Sequence, residues 1–91
     1  MTIDELYQII NNRKNLMPQG SYVASLFSQG DDRIIQKVGE EATEVVIAAK
    51  NKDKERTLSE VADLWFHLLI MMSSQNITPD EVHDELEKRA K

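Results

Sequence analysis

Apolar residues recur along this chain every three to four positions, the spacing of one face of an α-helix, and breaks in that recurrence divide it into helical segments. Ile3, Leu6, Ile9 and Ile10 begin the series. Thr2 precedes them with Glu5 three residues on, a capping box in which each residue satisfies a backbone N–H of the other. The pattern predicts a first helix to about Asn12, then a polar connection from Arg13 to Gly20 that contains Asn15, Pro18 and Gly20 and is anchored by Leu16 and Met17. Ser21 caps a short helix carrying Tyr22, Val23, Leu26 and Phe27, which Gly30 ends in a left-handed conformation. Asp31 or Asp32 then caps a long helix with the stripe Ile34, Ile35, Val38, Ala42, Val45, Val46 and Ala49, ending near Lys50 or Asn51.

Asp53 is the next cap, and the helix it opens carries Leu58, Val61, Ala62, Trp65, Leu68, Leu69 and Met72 on one side. Leu64, Phe66, Ile70 and Met71 lie elsewhere around it, so this helix has to be buried on more than one side. A chain of 91 residues offers few internal partners, which points to a subunit interface and a homodimer. Thr78, Pro79 and Glu81 supply a second capping box with proline in the first turn, starting a last helix through Val82, Leu86 and Ala90. The expected fold is all-α: four to five helices around a central antiparallel hairpin, in one domain over residues 1–91, completed by dimerisation.

The polar faces of the two long helices are acidic. Glu40, Glu41 and Glu44 share the third helix, and Glu60 and Asp63 the fourth, each set bordered by apolar positions. In water such repulsion costs only about 0.2–0.5 kcal/mol per pair, and a lone Glu-x-x-Glu is usually a solvated face. Here the short turn around Asn51 to Asp53 folds the two helices into a hairpin, with Glu44 and Glu60 about eight residues from it on either side, at similar heights. Carboxylates that converge near apolar surface share protons or bind a hard cation. Lys37, one turn before Glu40 and Glu41, is placed either to bind phosphate or to form a helix salt bridge. His67, one turn beyond Asp63, is placed to orient a carboxylate, contact phosphate, act as a general acid or fill the core. His83 reads as surface.

Composition narrows the chemistry. There is no Cys, so thiolate zinc sites and disulfides are excluded and a cytoplasmic location is expected. With 11 Lys and Arg against 16 Asp and Glu, the net charge of -5 argues against nucleic-acid binding and suits a divalent cation. Oxygen-only donors favour Mg²⁺, with Mn²⁺ as a substitute, and Mg²⁺ completes its octahedron with substrate phosphates. No apolar run approaches the roughly 20 residues that span a bilayer, so no membrane partner is expected.

Taken together, Ser21-Tyr22, Leu26, Gly30, the block from Lys37 to Ala48, Glu60-Val61-Ala62-Asp63-Leu64 and His67 resemble the phosphoribosyl-ATP pyrophosphatase family. The pairs Glu41-x-x-Glu44 and Glu60-x-x-Asp63 are shared with the wider all-α nucleoside triphosphate pyrophosphohydrolases, including the MazG proteins. Val23, and Trp65-Phe66 ahead of the histidine, depart from the family's usual residues without removing a proposed ligand. The resemblance implies a MazG-like helical bundle and hydrolysis of the α–β phosphoanhydride of phosphoribosyl-ATP to phosphoribosyl-AMP and pyrophosphate, the second step of histidine biosynthesis. It implies Glu41, Glu44, Glu60 and Asp63 as metal ligands, Glu40 as an additional ligand or base, Glu41 or Glu40 as the group that takes the water's proton, and Lys37 and His67 toward phosphate. Starting at Met1 and lacking the fused cyclohydrolase domain seen in some members, the chain is expected to stand alone. The rival expectations are a house-cleaning pyrophosphohydrolase for other nucleoside triphosphates and a non-catalytic helical interaction module.

Overall fold

A computed structural model describes residues 1–90, which form α1 (Ile3–Leu16), α2 (Tyr22–Gln29), α3 (Asp31–Lys50), α4 (Lys54–Ser74) and α5 (Pro79–Arg89). Among the described residues there is no strand. The all-α expectation and the central hairpin hold, and both capping boxes form, at Thr2 with Glu5 and at Thr78 with Glu81. Ser21 caps α2 through Ala24 N–H, and Asp53 caps α4 through Arg56 N–H.

Two boundaries and the conformation of one cap differ from the sequence pattern, each for a local reason. The first helix runs to Leu16, a turn beyond Asn12, because Arg13 and Lys14 are good helix formers whose charges favour a helix C-terminus. It stops where Met17 turns left-handed at φ 48°, ahead of Pro18, which disfavours helical conformation in the residue before it. Gly30 has φ 99° and ψ 172°, a region of positive φ but extended ψ that only glycine adopts at ease. This single residue ends α2 and is also the N-cap of α3, with no side-chain cap. Asp31 and Asp32 therefore lie inside the first turn of α3, where their carboxylates face the positive end of the helix dipole.

The core gathers Tyr7 and Ile10 from α1, Val23 and Leu26 from α2, Ile34 from α3, and Leu69 and Ile70 from α4. All of it lies at the end of the hairpin remote from the turn. Lys14 Nζ donates to the Ser73 carbonyl at 2.6 Å, and the buried Ser73 hydroxyl bonds Asn11, so α1 secures the last turn of α4. Toward the turn the hairpin is less covered: Ala48 is buried, while Val46, Ile47 and Leu58 are exposed. Trp65, grouped by the sequence pattern with the packed side of α4, is 54% exposed and outside the core, and Ile35 is 48% exposed.

Leu26→Ala removes a side chain that is 2% exposed. Truncating a buried leucine costs about 2–5 kcal/mol, and each kcal/mol shifts the midpoint of a chain this size by roughly 4–8 °C. A melting temperature at least about 8 °C lower is expected by far-UV circular dichroism, and an unchanged one would contradict the core as described.

Candidate active site

Glu41 lies ten residues before Asn51 and Asp63 ten after Asp53, so the hairpin brings them level, and Glu60 is one turn nearer the bend than Asp63. One carboxylate oxygen from each of Glu41, Glu60 and Asp63 lies within 4.8 Å of the others. Glu41 and Glu60 are partly buried and Asp63 is exposed, so the cluster is open to solvent. Glu44 is not in this trio. Its carboxylate is turned toward the bend, where Oε2 is 4.0 Å from Arg56 Nη2. Glu40 also points away, with Arg33 Nη1 at 3.5 Å and a hydrogen bond from Gln36 Nε2 at 3.2 Å.

Lys37 adjoins the cluster. Its ammonium is 3.1 Å from Glu41 and 3.7 Å from Glu40, with 18% of the side chain exposed. Its pKa is held above the ordinary 10.5 chiefly by the hydrogen bond to Glu41; burial opposes this, while nearby Tyr22 and the charges of Glu41 and Glu40 add to it. The lysine is therefore charged throughout the neutral range. Of the trio only Glu41 pairs with this cation, so three carboxylates meet with one ammonium beside them.

His67 is 6% exposed. Its Nδ1 donates to the Asp63 carbonyl at 2.7 Å, and Nε2 accepts from the Tyr22 hydroxyl at 2.7 Å. Phe66 and Tyr22 flank the ring edge-on, with centroids 5.4 and 5.7 Å away. Both ring nitrogens are thus occupied inside the fold. The spacing of residues carries no signal for this contact, since an aromatic residue beside Val23, Leu26 and Phe27 in an eight-residue helix reads as packing.

Oxygens around one Mg²⁺ sit roughly 3–4 Å apart at metal distances of about 2.1 Å. The trio is close enough to reach that spacing by side-chain rotation, and its donors are all hard oxygens, so these residues fit the ion.

Residues 3–90 match the family model described as phosphoribosyl-ATP pyrophosphohydrolase. The chain is 47% identical over 87 residues to the phosphoribosyl-ATP pyrophosphatase of Clostridium botulinum strain Hall, covering 96% of this chain and 79% of that protein. It is 45% identical over 89 residues to the Saccharolobus solfataricus phosphoribosyl-ATP pyrophosphatase, covering 98% and 95%. A Saccharolobus islandicus protein of the same name is 44% identical over 89 residues, with the same coverage.

Proposed function

The chain belongs to the phosphoribosyl-ATP pyrophosphohydrolase family, and from that premise we propose that the acidic cluster between α3 and α4 is its catalytic centre. The reaction is hydrolysis of the α–β phosphoanhydride of phosphoribosyl-ATP to phosphoribosyl-AMP and pyrophosphate, in histidine biosynthesis. The observation that carries the placement is the meeting of Glu41, Glu60 and Asp63 within 4.8 Å across the hairpin.

Three anionic side chains repel a triphosphate unless a cation intervenes. Bound Mg²⁺, or Mn²⁺ in its place, neutralises phosphate charge and makes a water molecule more acidic. Glu41, Glu60 and Asp63 hold the ion. Glu44, one turn along from Glu41, is the fourth donor, since its exposed contact with Arg56 is worth only about 0–1 kcal/mol and gives way readily. Glu40 or Glu41 takes the proton of the attacking water. Lys37 then exchanges Glu41 for a phosphate oxygen and stabilises departing pyrophosphate.

Lys37→Met is expected to separate catalysis from metal binding. Losing a phosphate partner lowers kcat/KM about 10–100-fold. Losing a competing cation leaves Mn²⁺ affinity of the substrate-free protein equal or tighter, which titration calorimetry measures. The ion pair is present below the ordinary lysine pKa and is lost only as pH rises past the raised one, so KM shows no Lys37 inflection between about pH 6 and 9. Weaker Mn²⁺ binding in the variant would place Lys37 elsewhere in the mechanism.

A homodimer accords with the exposed apolar surface. Leu58, Ala62 and Trp65 form a stripe along α4, and Trp65, Leu68, Met72, Ile3, Val82 and Leu86 line a groove of about 570 Å³ beside α1 and α5. Exposed apolar surface of this kind marks interaction sites. Among the described residues no helix is long and apolar enough to cross a membrane, and with no Cys the reading is a cytoplasmic enzyme acting as one domain.

Pyrophosphate release from phosphoribosyl-ATP, with and without Mg²⁺ and against ATP and other nucleoside triphosphates, tests the assignment. Mg²⁺-dependent release from phosphoribosyl-ATP alone is expected. Comparable release from other triphosphates would favour a house-cleaning role, and none from any would leave a non-catalytic module.

A further inference from the structure

Tyr22 is the first residue of α2, directly after its cap. Its half-exposed ring stacks on Phe66 of α4, with centroids 6.3 Å apart and planes 22° from parallel. Among the described residues, its hydroxyl makes the one side-chain hydrogen bond between α2 and another helix; the others of α2 stay within the helix and its cap. That bond ends on a histidine whose second nitrogen holds the backbone of a cluster residue.

The direction of the chain follows from chemistry. The Asp63 carbonyl has no proton to give, so His67 Nδ1 bears the hydrogen. In the neutral ring Nε2 is then an acceptor, and the Tyr22 O–H is the donor that satisfies it. The links agree with one another: the carbonyl requires the Nδ1–H tautomer, the phenol donates to the nitrogen that tautomer leaves free and so anchors the ring, and the carbonyl belongs to the residue whose carboxylate completes the acidic trio. Val23 and Leu26 already bury α2 by apolar contact, which is tolerant of small rotations. The hydrogen-bonded chain is directional, and it is aimed at the turn of α4 that presents Asp63.

We propose that Tyr22 and His67 are positioning residues that hold Asp63, and with it the spacing of the acidic cluster, through a chain from the Tyr22 hydroxyl through His67 to the Asp63 carbonyl. His67 on this account neither protonates the substrate nor touches it. The inference rests on the reading that Glu41, Glu60 and Asp63 hold a divalent cation. Partners that orient metal ligands from behind commonly change metal affinity by about 10–100-fold when removed.

The test uses the substrate-free chain. Imidazole ¹⁵N NMR on wild type is expected to find the Nδ1–H tautomer at His67. Mn²⁺ binding, followed by electron paramagnetic resonance, is expected to weaken about tenfold in Tyr22→Phe, which keeps the ring stack and loses only the donor. His67→Asn places an amide N–H near the Nδ1 position, keeping the Asp63 bond and dropping Tyr22, so it should resemble Tyr22→Phe. The double variant should be no weaker than either single one, because both break the same link. An Nε2–H tautomer in wild type would overturn the proposal. So would a Tyr22→Phe variant that melts earlier yet binds Mn²⁺ like wild type, since the pair would then be structural only. Wild type that binds no Mn²⁺ would remove the cluster reading itself and this proposal with it; wild-type binding with unaltered variants removes this proposal alone.

Discussion

Asp63→Asn and Glu60→Gln are expected to lower Mg²⁺-dependent pyrophosphate release by roughly 10²–10⁴-fold while leaving the fold intact. The catalytic loss follows from removing one of three charged donors that meet within 4.8 Å. Stability should move the other way. Like charges about 4 Å apart repel by about 1 kcal/mol even in a water-like dielectric, so deleting one relieves the cation-free protein and its melting temperature holds or rises. The same charges let the wild type gain from metal: saturating Mg²⁺ at about a hundred times Kd adds roughly 2.7 kcal/mol, a shift of roughly 10–20 °C that the variants should lose. Glu44→Gln should follow with a smaller loss, because its carboxylate starts outside the trio. Activity near wild type in Asp63→Asn, together with an unchanged response to Mg²⁺, would show that the reaction takes place elsewhere.

Trp65→Asp is expected to convert the proposed dimer to monomer without unfolding it. At 54% exposure the indole contributes little to the core of its own chain, so the substitution spares the packing around Leu26 and Ile70. A charge inside an apolar interface must be desolvated without a partner, which costs several kcal/mol and is counted once on each side of a symmetric contact. Light scattering after size exclusion reads the mass, and circular dichroism reads the helix. A variant that stays dimeric would move the interface off this face of α4, and a wild type that is monomeric at every concentration would end the dimer reading.

Sequence reading succeeded where a residue acts on its own backbone. Thr2, Ser21, Asp53 and Thr78 all cap through contacts three residues away, and such contacts are written into local order. It also placed the acids on the right helices, because the turn between α3 and α4 is short and fixes their heights. Side-chain direction lay beyond it. Glu44 and Glu60 are each eight residues from Lys52 at the centre of the bend, yet Glu60 turns to the trio and Glu44 to Arg56. The end of α1 was illegible for a related reason: its last turn is largely exposed and leaves no apolar period, while what holds it, Lys14 on the Ser73 carbonyl, spans 59 residues. The Tyr22 contact with His67 spans 45 and is equally invisible to spacing.

Gly30, shared as the end of α2 and the start of α3, leaves no slack between the two helices. A residue added to the last turn of α2 would rotate that helix by about 100° about its axis relative to Gly30 and turn the Tyr22 hydroxyl away from His67. This stretch is therefore expected to tolerate exchanged side chains better than added or deleted residues. Added residues are better accommodated in the turns before Ser21 and after Gln75, where the chain can lengthen without changing the angle at which α2 meets the hairpin.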